Sequence, residues 1–244
     1  MSTELLITLS IVFFLIATLY SSVGHAGASG YLAVMILLGV TPAIMKPTAL
    51  LLNVVVSTLV CVHLWRNRLI DWRKLLPLII GSIPAAAIGA SFKISDKTYF
   101  TILAVVMIVS AILIFKRTFN TPTERSSTRT LSPIVAVLLG AAIGLLSGIT
   151  GTGGGIFLSP LLILLGWATM RQTAALSAPF ILFNSISGLS SIGLALPHNI
   201  FWLIIPVGIG GLLGARLSTH ILPSNTLLRL LSFVMLVSAA KLIL

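Results

Sequence analysis

The sequence predicts an all-α polytopic membrane protein with two inverted repeats of five helical segments each and glycine-rich broken helices at the repeat interface. Three observations predict this class: 57% of the 244 residues are apolar and 8% charged, the mean hydropathy is +1.16, and one half of the chain repeats the pattern of the other. A soluble domain is usually about a quarter charged, so a water-soluble globule is excluded. Continuous apolar runs favour membrane helices over a β-barrel, whose strands alternate apolar and polar residues.

Ten apolar segments divide the chain. A membrane crossing needs about 20 residues, so the second and seventh segments are too short to cross alone. Each of them follows a glycine-rich stretch, which predicts one arm of a broken helix. The predicted segments are 5–22, 31–38, 48–64, 75–92, 98–115, 133–147, 156–165, 174–192, 201–215 and 227–244.

The charged residues are few and mostly basic. Fifteen Lys and Arg stand against four Asp and Glu, which gives a formal net charge of +11. The cations lie in short loops between apolar runs, where they indicate cytoplasmic loops rather than a nucleic-acid surface. The single Cys61 excludes a disulfide framework and a multi-cysteine metal site. The first apolar run has no basic leader and no small-residue cleavage site, so we expect it to be a mature helix.

An internal duplication organises the chain. The glycine-rich stretch 24–30 and Gly39 recur as the stretch 151–157 and Gly166, each 127 residues further on. The order of the matches is the same in both halves, which chance does not explain. Further matches at offsets of 129 to 131 are Asn53 with Asn184, Ile70 with Ile200, Trp72 with Trp202, Pro77 with Pro206 and Gly81 with Gly210.

The two copies are predicted to lie upside down relative to each other. Loop 66–74 holds three Arg and one Lys against one Asp, whereas its counterpart 194–202 has no Lys or Arg. Positive loops stay in the cytoplasm, so equivalent loops of opposite charge bias lie on opposite faces. Five crossings per copy give this inversion. If the short segments only re-enter the membrane, the copies are parallel and the charge reversal has no explanation.

The longest polar stretch marks the boundary between the copies. Residues 1–115 form the first transmembrane repeat, 116–132 a cytoplasmic linker and 133–244 the second transmembrane repeat, all within one membrane domain. With this topology, eleven of the fifteen cations lie on the cytoplasmic face and both termini lie outside.

The sequence does not predict an enzyme. The four histidines are scattered and the four acids lie in loops or at the terminus, so no metal-ligand cluster and no carboxylate pair is expected within the membrane. No Gly-x-x-x-x-Gly-Lys-Ser/Thr phosphate loop is present, so ATP is not the direct energy source. We therefore expect neither a cofactor nor a metal.

Binding is expected at the glycine-rich breaks. Within the stretch 147–155, the six residues from Thr150 onward include four glycines. Irregular backbone survives at membrane depth only where it is buried in protein or lines a wet cavity. Its free amide groups and the N-terminus of the following half-helix then favour an anion, and Thr150 and Thr152 add hydroxyl donors. The alternative is close helix packing through small residues, which we expect for the glycines spaced by four within 140–148.

The matching break of the first copy carries His25 where the second carries Thr152. His25 is either a structural histidine or a functional one, which donates a hydrogen bond to an anion or titrates near neutral pH. Asn53 and Asn184 recur in apolar helices, either as helix–helix contacts or as part of the site. The candidate substrate-binding residues are Gly24, His25, Gly27, Ser29, Asn53, Thr150, Gly151, Thr152, Gly153, Gly154, Gly155 and Asn184.

The duplicated architecture, the Gly-Thr-Gly-Gly-Gly stretch 151–155 and the glycine-rich break near Gly24 resemble the TauE/SafE family of sulfite and organosulfonate exporters. The resemblance covers nearly the whole chain. It implies a bacterial inner-membrane permease for sulfite, sulfoacetate or a related sulfur-containing anion. The first break departs from the second at His25, Ala26 and Ala28, so the second break is expected to have the larger role in binding.

Two classes of function remain open from the residues. The first is a secondary active transporter that holds a small anion between the breaks and alternates access by rocking one copy against the other. The alternative is a passive anion channel with the same loops as its filter. The expected partners are the small anion, a coupling proton as a further candidate, and the lipid bilayer, with no nucleic acid. The chain is expected to be a monomer or a homodimer.

Overall fold

The computed structural model describes residues 3–117, 132–192, 196, 200–217 and 225–243, and within these ranges it has ten helices and no strand. Each helix corresponds to one predicted segment, which confirms the all-α class. Most of the predicted linker and residues 197–199 of the loop before the ninth helix lie outside the described ranges. The helices are α1 (Thr3–Ser21), α2 (Ala28–Leu37), α3 (Pro42–Arg66), α4 (Trp72–Ser91), α5 (Asp96–Arg117), α6 (Pro133–Thr150), α7 (Gly155–Leu164), α8 (Met170–Ile192), α9 (Phe201–Leu217) and α10 (Asn225–Ile243).

Helices α3 and α8 begin several residues before their predicted starts. Pro42 occupies the first turn of α3, where its missing N–H costs nothing. At α8, the Gln172 side chain accepts from the Thr169 N–H at 3.0 Å and the Thr169 hydroxyl accepts from the Gln172 N–H at 3.4 Å, which is a capping box. Lys46 and Pro47 interrupt the apolar run near the start of α3, and the first turn of α8 is polar, so both predicted starts were late.

Helices α3, α4, α5, α6 and α8 are long and apolar enough to cross a membrane, judged by length and composition over the described residues. Helices α2 and α7 have ten residues each. Ten residues extend about 15 Å, half of a hydrocarbon layer about 30 Å thick. Large apolar side chains such as Ile80, Leu138 and Ile205 remain exposed, as expected of a surface that faces lipid.

The structure repeats the same backbone conformations in both halves. Glycines with positive φ stand before and after each short helix, at 77° and 81° for Gly24 and Gly151 and at 70° and 69° for Gly39 and Gly166. Helix packing repeats as well: α4 packs on α6 as α9 packs on α1, and α4 packs on α8 as α9 packs on α3. These glycine conformations and helix contacts therefore recur in both halves, whereas the division into two transmembrane repeats and their inversion across the membrane stay predictions.

Close packing of α4 on α6 uses the glycines of 140–148. A Cβ on Gly140, Gly144 or Gly148 would run into the backbone of Leu78, Ser82 or Ala86 in α4. On the other side of the molecule, Gly210 and Gly214 of α9 approach the backbone of α1 in the same way. The packing interpretation of the α6 glycines is thus confirmed, and these two contacts join the halves.

Candidate functional site

The second break joins α6 to α7 through residues 151–154. Gly151, Gly153 and Gly154 have φ of 81°, 78° and 79°, a region that side chains with a Cβ rarely adopt. The space around them is also filled. A Cβ on Gly154 would lie 2.9 Å from the side chains of Ile143 and Phe180, and a Cβ on Gly153 would lie 2.9 Å from Ile181. Glycine is therefore required here by both conformation and packing.

The first break joins α1 to α2, and two tyrosine side chains hydrogen-bond across it. Gly24 and Gly27 have positive φ, and a Cβ on Gly24 would meet the backbone of α8 at Ala174. The Tyr20 hydroxyl is 2.8 Å from the Ser29 hydroxyl, and the Tyr31 hydroxyl donates to the Ala26 carbonyl at 2.9 Å. Both rings are buried. The two tyrosine hydroxyls of this break are thus bonded within the first half.

Asn53 connects the two breaks. Its Oδ1 accepts from the Ala28 N–H, at the start of α2, at 3.1 Å. Its Nδ2 donates to the Thr152 carbonyl and to the Ser185 hydroxyl, each at 3.3 Å. The side chain is completely buried, so these bonds replace water entirely. One amide therefore holds the first half against both the second break and α8.

Asn184, the counterpart of Asn53, is bonded differently. It is also completely buried, but neither its Nδ2 nor its Oδ1 has a hydrogen-bond partner among the described residues. The Ser147 hydroxyl, one turn before the second break, is likewise buried and unpartnered within those residues. Tyr20 stands 127 residues before Ser147 in the first half and fills the equivalent place with a bonded ring. Among the described residues, the hydroxyls of Thr48, Ser82 and Ser110 in the first half are also buried and unpartnered, but Asn184 is the only amide in this state.

His25 reaches from the first break to the second half. Its Nδ1 lies 3.1 Å from the Val23 carbonyl oxygen, and its Nε2 lies 3.1 Å from the carbonyl oxygen of Gly155. Nε2 is also 2.9 Å from the Ser159 hydroxyl, which lies 2.7 Å from the hydroxyl of Ser177. Sequence reasoning missed both serines, because a buried helical serine usually bonds its own preceding turn and gives no sequence signal.

The threonines of the second break are hydrogen-bonded to protein. The Thr150 hydroxyl donates to the Leu146 carbonyl at 2.7 Å, so it accepts from the Thr152 hydroxyl 3.0 Å away. The Tyr99 hydroxyl donates to the Thr150 carbonyl at 3.1 Å and ties α5 to the break. In this conformation neither threonine has a hydroxyl hydrogen left for a ligand.

Lys46 lies beside the second break. Its side chain packs on Gly151, whose Cβ would lie 3.0 Å from the Lys46 Cγ. Its Nζ donates to the Ala90 carbonyl at the end of α4, at 3.0 Å. Lysine near a helix C-terminus stabilises the last carbonyl groups, so this cation has a structural role at the edge of the break.

The structure brings His25, Asn53 and the second break together, whereas Ser29 bonds Tyr20 within the first half. Asn53 contacts both breaks, and His25 contacts α7 at Gly155. Ile181, one turn before Ser185, packs on the second break. No group of three or more His, Cys, Asp or Glu side chains that could hold a metal is found in the part of the chain that the structure describes.

Apolar helices, two broken helices and buried polar groups between them define a polytopic helical membrane protein with an internal polar region. A match to the sulfite exporter TauE/SafE family spans residues 9–242, so the chain belongs to that family. It is 39% identical over 249 residues to the probable membrane transporter protein y4hK of Sinorhizobium fredii, and all of both chains is covered. It is 27% identical over 247 residues to the probable membrane transporter protein YjnA of Bacillus subtilis, covering 93% of this chain and 96% of that one. No solved structure matches.

The protein is therefore a multi-pass membrane transporter and not an enzyme. This confirms the family resemblance and the expected class of function. Both relatives are bacterial proteins, which is consistent with the expected bacterial inner membrane.

Proposed function

We propose that this transporter is a secondary active carrier for a small sulfur-containing anion, sulfite or an organosulfonate. The family description supports the substrate class, and the absence of a phosphate-binding loop in the sequence favours a carrier that does not use ATP. The anion is bound beside the second break, between the two halves.

The observation that supports this location of the binding site is the buried amide of Asn184, which has no partner among the described residues. An unsatisfied buried polar group costs about 1–3 kcal/mol, and a bound molecule that supplies the missing partner recovers this cost. The oxygens of a sulfite or sulfonate accept hydrogen bonds from N–H and O–H groups. Asn184 offers such a donor, and Ser147 offers a second one.

The geometry of the second break supports the same site. Phe180, one turn before Asn184, and Ser147 both lie against Gly154, at 2.9 Å and 3.3 Å from the position of a Cβ there. The N-terminus of α7 begins at the next residue, Gly155. Its first backbone N–H groups carry a partial positive charge, which favours an anion.

Alternating access follows from the duplication. The halves exchange equivalent contacts, with α6 on α4 and α1 on α9. Rocking of one half against the other exchanges the environments of equivalent helices and opens the site to alternate sides. The two copies lie inverted in this proposal, with the linker in the cytoplasm.

Counterflow in proteoliposomes tests the proposal. Vesicles loaded with unlabelled anion are diluted into a trace of the labelled anion, over a panel of sulfite, thiosulfate, sulfoacetate and taurine. A carrier accumulates label transiently against its gradient, and we expect this for at least one sulfur-containing anion of the panel. Label that only equilibrates would indicate a passive anion channel, and no flux of any anion would contradict anion transport.

A further inference from the structure

Both ring nitrogens of His25 face backbone carbonyl oxygens, Val23 O at Nδ1 and Gly155 O at Nε2, each at 3.1 Å. A carbonyl oxygen only accepts hydrogen bonds, so the nitrogen that faces it must carry a hydrogen. A neutral imidazole has one ring hydrogen, and either tautomer leaves one carbonyl oxygen facing a nitrogen lone pair. The imidazolium alone donates to both carbonyl groups.

The Ser159 hydroxyl does not remove the need for a hydrogen on both ring nitrogens of His25. It could donate to an unprotonated Nε2 at 2.9 Å, but the Gly155 carbonyl oxygen would then face the same lone pair. With Nε2 protonated, the Ser159 oxygen and the Gly155 oxygen share the N–H as acceptors. The Ser159 hydrogen is then free to bond the Ser177 oxygen, 2.7 Å away. The ring N–H at Nε2 and the Ser159 hydroxyl hydrogen each have an acceptor in this arrangement.

We propose that His25 is the proton-carrying residue of this transporter. This inference rests on the proposed transport function and deepens it by naming the proton as the coupling ion. In this proposal the imidazolium ties the start of the first break, at Val23, to the first residue of α7 in the other half. Loss of the proton replaces one N–H···O contact by a contact between lone pairs. The protonation state of His25 therefore biases the two halves toward or away from this arrangement.

Helix α9, which packs on α1, carries Arg216, and α10, which packs on α2, carries Arg229 and Lys241, whose Nζ donates to the Leu37 carbonyl at the far end of α2. The titratable groups nearest the first break are bonded away from His25. The Tyr20 hydroxyl bonds within the first half, the Tyr31 hydroxyl donates to the carbonyl of the residue after His25, and Lys46 Nζ donates to the end of α4. Helix α7 contains no titratable residue, and α8 carries Arg171 near its start. The remaining titratable residues of α1 and α3 lie two or more helical turns from the breaks and Asn53: Glu4, Cys61, His63 and Arg66.

Nitrogen NMR of the full-length protein in lipid nanodiscs tests the protonation directly. Histidine labelled with nitrogen-15 is incorporated, and the His25 signals are assigned by their loss in His25→Asn. We expect both ring nitrogens of His25 to carry hydrogen at neutral pH. An unprotonated ring nitrogen of His25 at that pH would overturn the proposal, and this result does not depend on any variant being active.

Proteoliposomes with radiolabelled thiosulfate test the coupling. We expect a transmembrane pH gradient to drive thiosulfate accumulation in the wild type and in the control His63→Asn. We expect His25→Asn to lose this accumulation, and its remaining thiosulfate exchange should no longer change with pH. Wild-type exchange that a pH gradient does not drive, or gradient-driven accumulation by His25→Asn, would overturn the proposal while transport itself stands. If none of the panel anions is exchanged, the proposed function fails, and the NMR result alone decides the state of His25.

Discussion

Asn53 and Asn184 occupy equivalent places in the two halves but differ in every hydrogen bond. Asn53 uses its oxygen and its nitrogen to bind Ala28, Thr152 and Ser185. Asn184 has no partner among the described residues. Since a buried amide is costly unless bonded, the two residues make opposite contributions to folding, one stabilising and one destabilising.

Replacement by leucine separates these contributions. Asn53→Leu leaves buried partners on α2 and in the second break without hydrogen bonds, so we expect a loss of about 2–4 kcal/mol in the free energy of unfolding. Asn184→Leu removes unpartnered polar atoms and should leave stability unchanged or higher. Thermal unfolding of both variants in the same detergent checks this. Equal losses in the two variants would show that Asn184 has a partner in the folded protein.

The sequence predicted the asparagine pair but not this difference. Recurrence within apolar helices is visible in the chain, because each half repeats the same order of residues. The bonding of each amide depends on neighbours that only the fold supplies, such as Ala28, Thr152 and Ser185 around Asn53. Ser159 and Ser177 give no sequence signal at all, and only the fold brings them to His25.

At the scale of elements, the short helix α7 is bounded by two glycines in the same conformation. Gly154 before the helix has φ of 79°, and Gly166 after it has φ of 69°. The space around them differs. A Cβ on Gly154 meets Ile143 and Phe180, whereas a Cβ on Gly166 meets nothing within 4 Å. The pair therefore separates the cost of backbone conformation from the cost of packing.

Valine at each position tests the importance of the break. Gly166→Val carries the cost of the left-handed conformation, about 1–2 kcal/mol, and should still transport. Gly154→Val adds steric overlap where α7 begins, so we expect abolished transport and a larger loss of stability. Counterflow and thermal unfolding are measured on both proteins. Equal activity of the two variants would show that the packing around Gly154 is not needed for transport.

Sequence reasoning predicted the elements well where hydropathy and glycine determine them. The ten segments and both breaks follow from apolar length and from positions where only glycine adopts positive φ. The starts of α3 and α8 did not follow, because α3 continues through Lys46 and Pro47 and a capping box starts α8 in polar sequence. Hydropathy contains no information about such capping.

At the scale of the whole molecule, the charge bias of equivalent loops predicts inverted copies. Asn67→Cys and Asn199→Cys, each in a Cys61→Ser background, report the two loops separately. We expect the first cysteine to react with a membrane-impermeant maleimide only from the cytoplasmic side and the second only from outside. The labelling of each cysteine is compared between right-side-out and inside-out vesicles. Labelling of both cysteines from the same side would refute the inversion and favour parallel copies.

The central claim of this account is that the unpartnered amide of Asn184 binds the transported anion between the two halves. The most direct test is the affinity of purified protein in detergent for the panel anion with the strongest counterflow, compared between the wild type and Asn184→Leu. Ser110→Ala is a matched control, because the Ser110 hydroxyl in α5 is also buried and unpartnered within the described residues. We predict that Asn184→Leu weakens binding about tenfold, equivalent to about 1.4 kcal/mol, while Ser110→Ala binds like the wild type. Wild-type affinity in Asn184→Leu would contradict the claim.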